Sequence, residues 1–220
     1  MSDSYEVSKR NKVRQLRDKA AYDTETVHGI LDSALLASVA FVEDGQPVVI
    51  PMLYGREGET LFLHGARKAR IIRLLESTST ACLSVTHVDA LVYARSAFNS
   101  SMNYRSVTVF GTPRLIEGAD EKLHALRVIT ECTMPGRWDE LRDPLEKEVK
   151  MTGVIALEIE TASAKVSSGM PDDEDEDYAI PVWAGILPLQ SAFTSLQSDD
   201  RLLDGVELSP AAKAMQGKIL

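Results

Sequence analysis

The sequence predicts a mainly β protein with helices (α+β), in which a small antiparallel barrel carries helices on its rim. Two observations support this fold class. Apolar segments of strand length follow one another with connections too short for parallel crossovers, and helical patterns of apolar residues are interposed between them. The 220 residues are 44% hydrophobic, which is enough to bury one sizeable core.

Residues 1–22 form the first predicted segment, a basic N-terminal arm. Its cations are Lys9, Arg10, Lys12, Arg14, Arg17 and Lys19. We interpret it as a solvated arm or first helix, because the acidic remainder of the chain disfavours a nucleic-acid-binding tail. The main domain is predicted over residues 23–190, and it begins with a helix to about Ala34 that Asp23 or Thr24 caps.

Three strands are predicted next, without an intervening helix, at residues 36–42, 47–54 and 60–64. The turn residues at 43–45 and 55–59 make short connections, so the three strands form an antiparallel meander. Pro51 interrupts the second strand and has no backbone N–H to donate. We therefore expect it at a sheet edge, at a bulge or where a ligand approaches.

The remaining elements alternate between helix and strand. Helices are predicted over about 66–76 and over 120–133, where Pro135 and Gly136 end the second one. Further strands are predicted at residues 81–87, 90–95, 105–117 and 154–166. Six consecutive acids at 172–177 predict an exposed loop, since such a run repels itself and lacks the turns that a cation site needs. Residues 191–220 form a tail with a short helix, which packs on the body or on a partner subunit.

The junction between the third strand and the first long helix is the candidate binding site. It carries four cations, Arg67, Lys68, Arg70 and Arg73, and no acid between residues 60 and 75, although the chain has a net charge of −9. Cations at the positive end of a helix are unfavourable, and an anion such as phosphate relieves the conflict. His64 ends the strand just before this junction. We expect it to contact the ligand, with a core histidine bonded to backbone as the alternative.

Arg105 and Ser106 begin another strand and could supply a charged donor and a hydroxyl to the same anion. Other patterns are weaker. Glu121 and His124 have the E-x-x-H spacing of carboxylate di-metal sites, but such a site needs two copies of the motif and the chain has one. His87 and Asp89 could be a base and the acid that orients it, but no G-x-S-x-G nucleophile motif accompanies them. No dinucleotide or P-loop fingerprint is present. The sequence therefore identifies no catalytic residue and no metal site.

The overall composition indicates where in the cell the protein is located and which classes of partner it can bind. The acidity argues against nucleic acid as the main partner, and no apolar stretch approaches membrane-spanning length. Cys82 and Cys132 form no C-x-x-C pair. We expect a cytoplasmic protein with reduced thiols and no membrane attachment.

Taken in order, these segments resemble the pyridoxamine 5′-phosphate oxidase-like superfamily of flavin-binding split barrels. They are most similar to the branch that contains nitroimidazole reductase-like flavoproteins. The resemblance runs from about Arg10 to Leu189, through motifs at residues 14–35, 46–54, 62–68, 105–111, 135–138 and 181–188. It implies a six-stranded antiparallel split β-barrel with flanking helices.

The resemblance also implies a cofactor, FMN with FAD as the alternative. The cofactor residues that it assigns are Ile50, Pro51, Met52, His64, Arg67, Lys68, Arg105, Ser106 and Trp183. Arg67 and Lys68 would hold the flavin phosphate with help from Ser106 and Arg105, residues 50–52 would border the ring, and His64 would lie near the ribityl chain or phosphate. The resemblance further implies a homodimer with the cofactor at its interface.

The predicted function is that of an FMN-dependent oxidoreductase acting with an unidentified small-molecule electron donor or acceptor. A non-catalytic flavin carrier, store or sensor is the alternative, and a non-flavin anion-binding barrel is a third possibility. The pyridoxamine-phosphate oxidases proper carry a C-terminal segment whose arginines bind the substrate phosphate, whereas only Arg201 follows Val166 here. The acidic run would also repel a phosphorylated substrate, so oxidation of vitamin B6 is not expected.

Overall fold

The computed structural model describes residues 3–220 of the chain. The strands of this region are β1 (Ala20–Ala21), β2 (Leu36–Glu43), β3 (Gln46–Glu57), β4 (Thr60–Ala66), β5 (Ala81–Tyr93), β6 (Ser101–Gly111), β7 (Pro113–Ile116), β8 (Thr152–Glu158), β9 (Thr161–Ser167) and β10 (Gly185–Pro188). The α-helices are α1 (Thr24–Asp32), α2 (Arg70–Ser77), α3 (Ala119–Thr133), α4 (Glu146–Met151) and α5 (Pro210–Met215). No helix in the described region combines the length and apolar character that crossing a bilayer requires. The predicted class, a mainly antiparallel β protein with helices, is confirmed.

The chain forms two compact units, of which the first comprises residues 3–34, 84–108 and 161–191. Its strands lie in the order β1-β9-β6-β5, and β10 pairs with β5. The carboxylate of Asp23 accepts a hydrogen bond from the Thr26 N–H at 2.8 Å and caps α1. Val27 and Leu31 on that helix are fully buried. The predicted capped helix is confirmed, although it ends two residues early, at Asp32.

The second unit comprises residues 35–83, 109–160 and 192–220, with strands in the order β2-β3-β4-β8-β7. One buried cluster of its core consists of Phe62, Ile116, Ala125, Ile129, Val154 and Ala156. Helix α3 lies very close to β3, because a Cβ built on Gly55 would stand 2.7 Å from the Ile129 Cα. A side chain at Gly55 would separate the helix from the sheet.

The antiparallel meander predicted for residues 36–64 is confirmed. Strand β2 pairs with β3, and β3 pairs with β4 over Tyr54 to Glu57. The first turn contains Asp44 and Gly45 with φ angles of 50° and 75°. Positive φ at both central residues is the geometry that two-residue hairpins favour.

Several strand boundaries differ from prediction. The segments predicted at 81–87 and 90–95 form one continuous strand, β5, because Asp89 stays in the strand and pairs with Arg105 on β6. The segment predicted at 105–117 divides into β6 and β7, and that at 154–166 divides into β8 and β9. The predicted number of six strands is therefore too low for the described residues. The predicted division into arm, domain and tail stays a prediction, because both units combine separate parts of the chain.

The prediction that the whole acidic run at 172–177 is an exposed loop is wrong at Asp173, which is buried, and at Asp177, which is half-buried. Asp173 is 7% exposed. Its carboxylate accepts hydrogen bonds from the Arg95 backbone N–H at 2.8 Å and from Arg95 Nη1 at 2.9 Å. The Arg95 guanidinium in turn lies 4.7 Å from the centre of the Tyr178 ring. A buried ion pair therefore holds this segment in place, which a sequence of like charges does not reveal.

Candidate functional site

The junction between β4 and α2 is the core of the predicted phosphate site. Strand β4 continues to Ala66 and α2 begins at Arg70, so the predicted helix start at Ala66 is wrong by four residues. The intervening turn is fixed by hydrogen bonds from the Arg67 N–H to the Met151 oxygen and from the Ala69 N–H to the Ala66 oxygen, both 2.8 Å long. Arg67 and Lys68 therefore precede the helix rather than open it.

A glycine on β8 permits this turn to pack against the sheet. A Cβ built on Gly153 would stand 2.6 Å from Ile72 Cγ2 and 3.2 Å from the Arg67 Cα. Neither contact is possible without a shift of α2 or of the turn. Gly153 thus fixes where Arg67 enters the junction.

The start of α2 offers unpaired backbone donors. Its N-cap residue, Ala69, provides no side-chain hydrogen bond to the first turn. The first N–H groups of a helix have no acceptor within the helix, and they carry the positive end of its dipole. An anion at this position would accept hydrogen bonds from them.

The four cations of the junction differ in their partners. Arg67 donates to the Glu76 carboxylate over 3.1 and 3.3 Å, and Arg70 pairs with Glu43. Two of the four cations therefore have acid partners, and both acids lie outside residues 60–75, the stretch that contains none. Lys68 is exposed and forms no ion pair within residues 3–220. It is the cation that remains available next to the uncapped helix.

His64 lies on β4 opposite Val154 and is half-buried. Its Nδ1 atom is buried and has no hydrogen-bond partner in the described part of the chain. Burial lowers the pKa of His64, so the imidazole is neutral at pH 7. The expected alternative, a histidine bonded to backbone, does not hold in this structure. A ligand would give this ring the partner that the protein does not.

Residues 50–52, which are predicted to border the flavin ring, lie in a part of β3 that is paired with another strand on one side only. Pro51 pairs with Ser38 on β2, whereas the pairing of β3 with β4 begins only at Tyr54. Pro51 thus lies beyond the end of that second pairing, as its missing N–H predicts. Met52 is buried at 7% exposure, Ile50 is half-buried and Pro51 is exposed.

The remaining predicted cofactor residues belong to the first unit. Arg105 binds the Asp89 carboxylate with two nitrogens, Nε at 3.0 Å and Nη2 at 2.9 Å. The Ser106 hydroxyl donates to the Lys165 oxygen over a long 3.4 Å. Arg105 and Asp89 also line a cavity of about 340 Å³ together with Asn103. The predicted charged donor therefore already has a carboxylate partner in its own unit.

Trp183 precedes β10, whose first residue, Gly185, pairs with Tyr93 on β5. The Trp183 and Tyr93 rings lie 5.7 Å apart, and the Trp183 residue is 68% exposed. A Cβ on Gly185 would stand 2.9 Å from the indole ring. The exposed indole is thus held in a defined position and is available for a planar ligand.

The other histidines have protein partners. His28 Nε2 lies 3.0 Å from the Tyr5 hydroxyl, His87 Nε2 lies 3.2 Å from Ser33 Oγ, and His124 Nε2 lies 2.6 Å from Glu57. The Ser33 hydroxyl donates to the Ile30 oxygen, so it accepts from His87 and is not an activated nucleophile. Within residues 3–220 no group of three or more His, Cys, Asp or Glu is placed to hold a metal ion.

The structure thus assigns the predicted residues to two places. Residues 50–52, His64, Arg67 and Lys68 lie in the second unit, and Arg105, Ser106 and Trp183 lie in the first. Sequence reasoning missed Glu76 and Gly153 at the junction. Glu76 lies nine residues after Arg67, just outside the acid-free stretch of residues 60–75, and a single glycine in a strand gives no signal of what packs on it.

Comparison with known proteins identifies the family. Residues 23–166 match the family model for pyridoxamine 5′-phosphate oxidase. A comparison with curated protein sequences finds no match.

Solved structures include close relatives. Flavocytochrome Anf3 from Azotobacter vinelandii is 37% identical with a TM-score of 0.90, and the alignment covers 96% of this chain and 98% of that one. The FAD and heme binding protein from Mycobacterium smegmatis is 39% identical with a TM-score of 0.87, over 90% and 98% of the two chains.

A third structure is more distant. A 5-nitroimidazole antibiotic resistance protein from Bacteroides thetaiotaomicron, assigned that role provisionally, shares the fold at 24% identity and a TM-score of 0.59, over 67% and 86% of the two chains. The family match spans well over half of the chain, and the two closer structures agree with it in fold over nearly the whole length. The chain belongs to the pyridoxamine 5′-phosphate oxidase family, within the split-barrel superfamily.

Proposed function

We propose that the chain binds a flavin nucleotide whose phosphate lies at the junction of β4 and α2, and that it acts as a flavin-dependent oxidoreductase on a small molecule. The observation that carries the proposal is the combination of Lys68, which has no acid partner in residues 3–220, with the uncapped start of α2. Such a pair is a preformed anion site. The family match and the two relatives that bind FAD or are flavocytochromes support it.

The residues of the chain fit a flavin in specific roles. Lys68 and the first N–H groups of α2 would hold the phosphate, with Arg67 shared between the phosphate and Glu76. Residues 50–52 would border the ring, and Arg105, Ser106 and Trp183 remain predicted cofactor residues. The flavin supplies the electron transfer when it is bound. The protein binds and orients it, and the neutral His64 offers a hydrogen bond in a buried place.

Two forms of the flavin remain to be distinguished. The resemblance implied FMN with FAD as the alternative, whereas one of the two relatives above 35% identity is described as binding FAD. We therefore propose FAD for this chain, with FMN as the competing outcome. Both carry a phosphate that the junction would bind.

We also propose that the chain is a homodimer with the cofactor at its interface. One face of the β2–β3 hairpin exposes mainly apolar side chains, namely Leu36, Ala40, Val42, Pro47, Val49, Pro51 and Leu53. Leu36, Val42 and Val49 are between 54% and 64% exposed. A contiguous apolar face of this kind marks an interaction site, and a second copy would cover it symmetrically. Pro51 lies on this face, which would bring the proposed ring site to the interface.

Oxidation of vitamin B6 is not part of the proposal. Beyond Val166, Arg201 is the one arginine of the chain; its side chain is 92% exposed and lies 3.8 Å from the Asp199 carboxylate. It has none of the burial that a phosphate-binding arginine of an active site would have.

A mass measurement and a reduction assay test the proposal. Protein purified without added cofactor is expected to be yellow and to release a flavin on heating, identified by mass as FAD or FMN. Under anaerobic conditions NADH, NADPH or dithionite should bleach the bound flavin, and an added acceptor should restore its colour. A colourless protein that binds neither flavin would exclude the proposal. A flavin that dithionite reduces but no nicotinamide nucleotide or acceptor affects would favour a carrier or sensor.

Haem is a second candidate cofactor for this chain. Of the relatives described above, one is a flavocytochrome and another is a FAD and heme binding protein. His64 differs from the other histidines because its ring has no hydrogen-bond partner in residues 3–220. The lowered pKa of His64 keeps the imidazole neutral, which is the form that binds iron. We propose that His64 would bind the haem iron, in which case it would not also contact the flavin.

A substitution separates this role from a structural one. Wild-type protein titrated with haemin should give a sharp Soret band at one equivalent, and His64→Ala should lose that band or shift it to the spectrum of free haemin. His124→Ala is the matched control, because its ring already pairs with Glu57 on an exposed surface. An identical Soret band in wild type and His64→Ala would exclude His64 as the ligand.

A further inference from the structure

The C-terminal residues of the second unit form a closed loop. Ala192 pairs with Ile219 in an antiparallel bridge. The Phe193 N–H donates to the Lys218 oxygen at 3.0 Å, and the Gly217 N–H donates to the Phe193 oxygen at 2.9 Å. These bonds close the base of the loop, and we call residues 194–216 the strap. The strap lies outside the family match, which ends at residue 166.

Glu140 anchors the strap to the segment that follows α3. Its carboxylate accepts hydrogen bonds from Ser209 Oγ at 2.5 Å, from the Ala211 N–H at 2.9 Å and from Arg137 Nη1 at 2.6 Å. The bond from Ser209, followed by those from Ala211 and Arg137, lowers the pKa of Glu140, so it is ionised at neutral pH. Ser209 also caps α5 by accepting from the Ala212 N–H at 3.1 Å. The start of α5 is therefore held in one position.

Between the strap and the end of α3 lies a cavity of about 580 Å³. Its apolar walls are formed by Met134, Phe193, Leu196, Ala211, Ala212 and Met215. This volume lies within the range of pockets that bind small molecules. Methionine sulfurs and a phenyl ring make favourable contacts with a flat aromatic ligand.

Arg137 is the one ionisable side chain among the residues that line this cavity. Its Nη1 donates to Glu140, and its other guanidinium nitrogens have no partner in the described part of the chain. Arginine presents a fork of donors that suits a carboxylate or sulfonate.

We propose that this cavity is a second small-molecule site, which binds an aromatic compound that carries one acidic group. The ring lies against Met134, Phe193 and Met215, and the acidic group binds Arg137. The proposal does not depend on flavin binding, because none of the predicted cofactor residues lines this cavity.

Two fluorescent probes with the same ring system test the proposal. Anilinonaphthalene sulfonate carries the acidic group, and N-phenyl-1-naphthylamine lacks it. Both should bind the purified protein saturably. Arg137→Gln should weaken binding of the sulfonate by about tenfold, because the charged donor to the acidic group is lost, and should leave the neutral probe unchanged. An equal effect on both probes, or none on either, would overturn the assignment of Arg137.

Variants of the strap test the place of binding. Ala212→Leu fills the cavity and should weaken both probes at least tenfold, whereas Ala214→Leu, exposed on the same helix, should not. A second pair guards against misfolding of the first. Leu196 lies on the cavity wall, so Leu196→Glu should repel the sulfonate. Leu203 is 78% exposed and does not line the cavity, so Leu203→Glu is the control that should leave probe binding unchanged. Equal probe binding within each pair would show that the probes bind elsewhere and would overturn the proposal.

Discussion

Replacing Arg67 and Lys68 together by alanine should weaken flavin binding by about 3 kcal/mol, which is on the order of a hundredfold rise in Kd. A hydrogen bond to a charged group contributes roughly 1.5–3 kcal/mol each. Lys68 is expected to account for most of the effect, because Arg67 already pairs with Glu76. Titration of the apoprotein with FAD and FMN, followed by flavin fluorescence, gives both dissociation constants.

Arg73→Ala is the matched control for this experiment. Arg73 lies one helical turn into α2, is exposed, and has no ion-pair partner within residues 3–220, so it shares the charge of Lys68 but not its position. Its removal should change the Kd by less than about threefold. A double variant with wild-type affinity, or a control with an equal loss, would mean that the phosphate binds elsewhere.

Replacing Asp173 by alanine should lower the free energy of unfolding by about 3 kcal/mol, because it leaves Arg95 without its carboxylate. The Asp173 side chain is fully buried and that of Arg95 is 22% exposed, so water cannot replace the lost partner well. Urea denaturation of the variant and the wild type measures the difference.

Asp175→Ala provides the comparison from within the same acidic run. Asp175 is exposed, so its removal should change stability by less than about 0.5 kcal/mol. Equal changes in the free energy of unfolding for both variants, whether gains or losses, would show that the run acts as a charged surface and that the buried pair contributes nothing of its own.

Local patterns were sufficient for the elements that depend on neighbouring residues. The Asp23 cap, the Asp44-Gly45 turn and the end of α3 before Gly136 are all determined within a few positions of the chain. Residues of this kind carry their own backbone preference, so the pattern predicts the structure. The antiparallel meander follows because its connections are short.

The features that the sequence did not predict depend on contacts between distant segments. Glu43 pairs with Arg70 across twenty-seven positions, and Asp173 pairs with Arg95 across seventy-eight. The spacing of charges along the chain cannot show which of them meet. The same holds for the site: the cations at the junction were identified from sequence, but only the fold distinguishes Lys68 from the paired Arg67 and Arg70.

A crystal structure of the protein saturated with FAD is the most direct test of the central claim. We expect a flavin phosphate within hydrogen-bond distance of Lys68 Nζ and of the first N–H groups of α2. The isoalloxazine ring would lie beside residues 50–52. A fully bound flavin whose phosphate lies away from this junction, with Lys68 extended into solvent, would exclude the junction as the phosphate site.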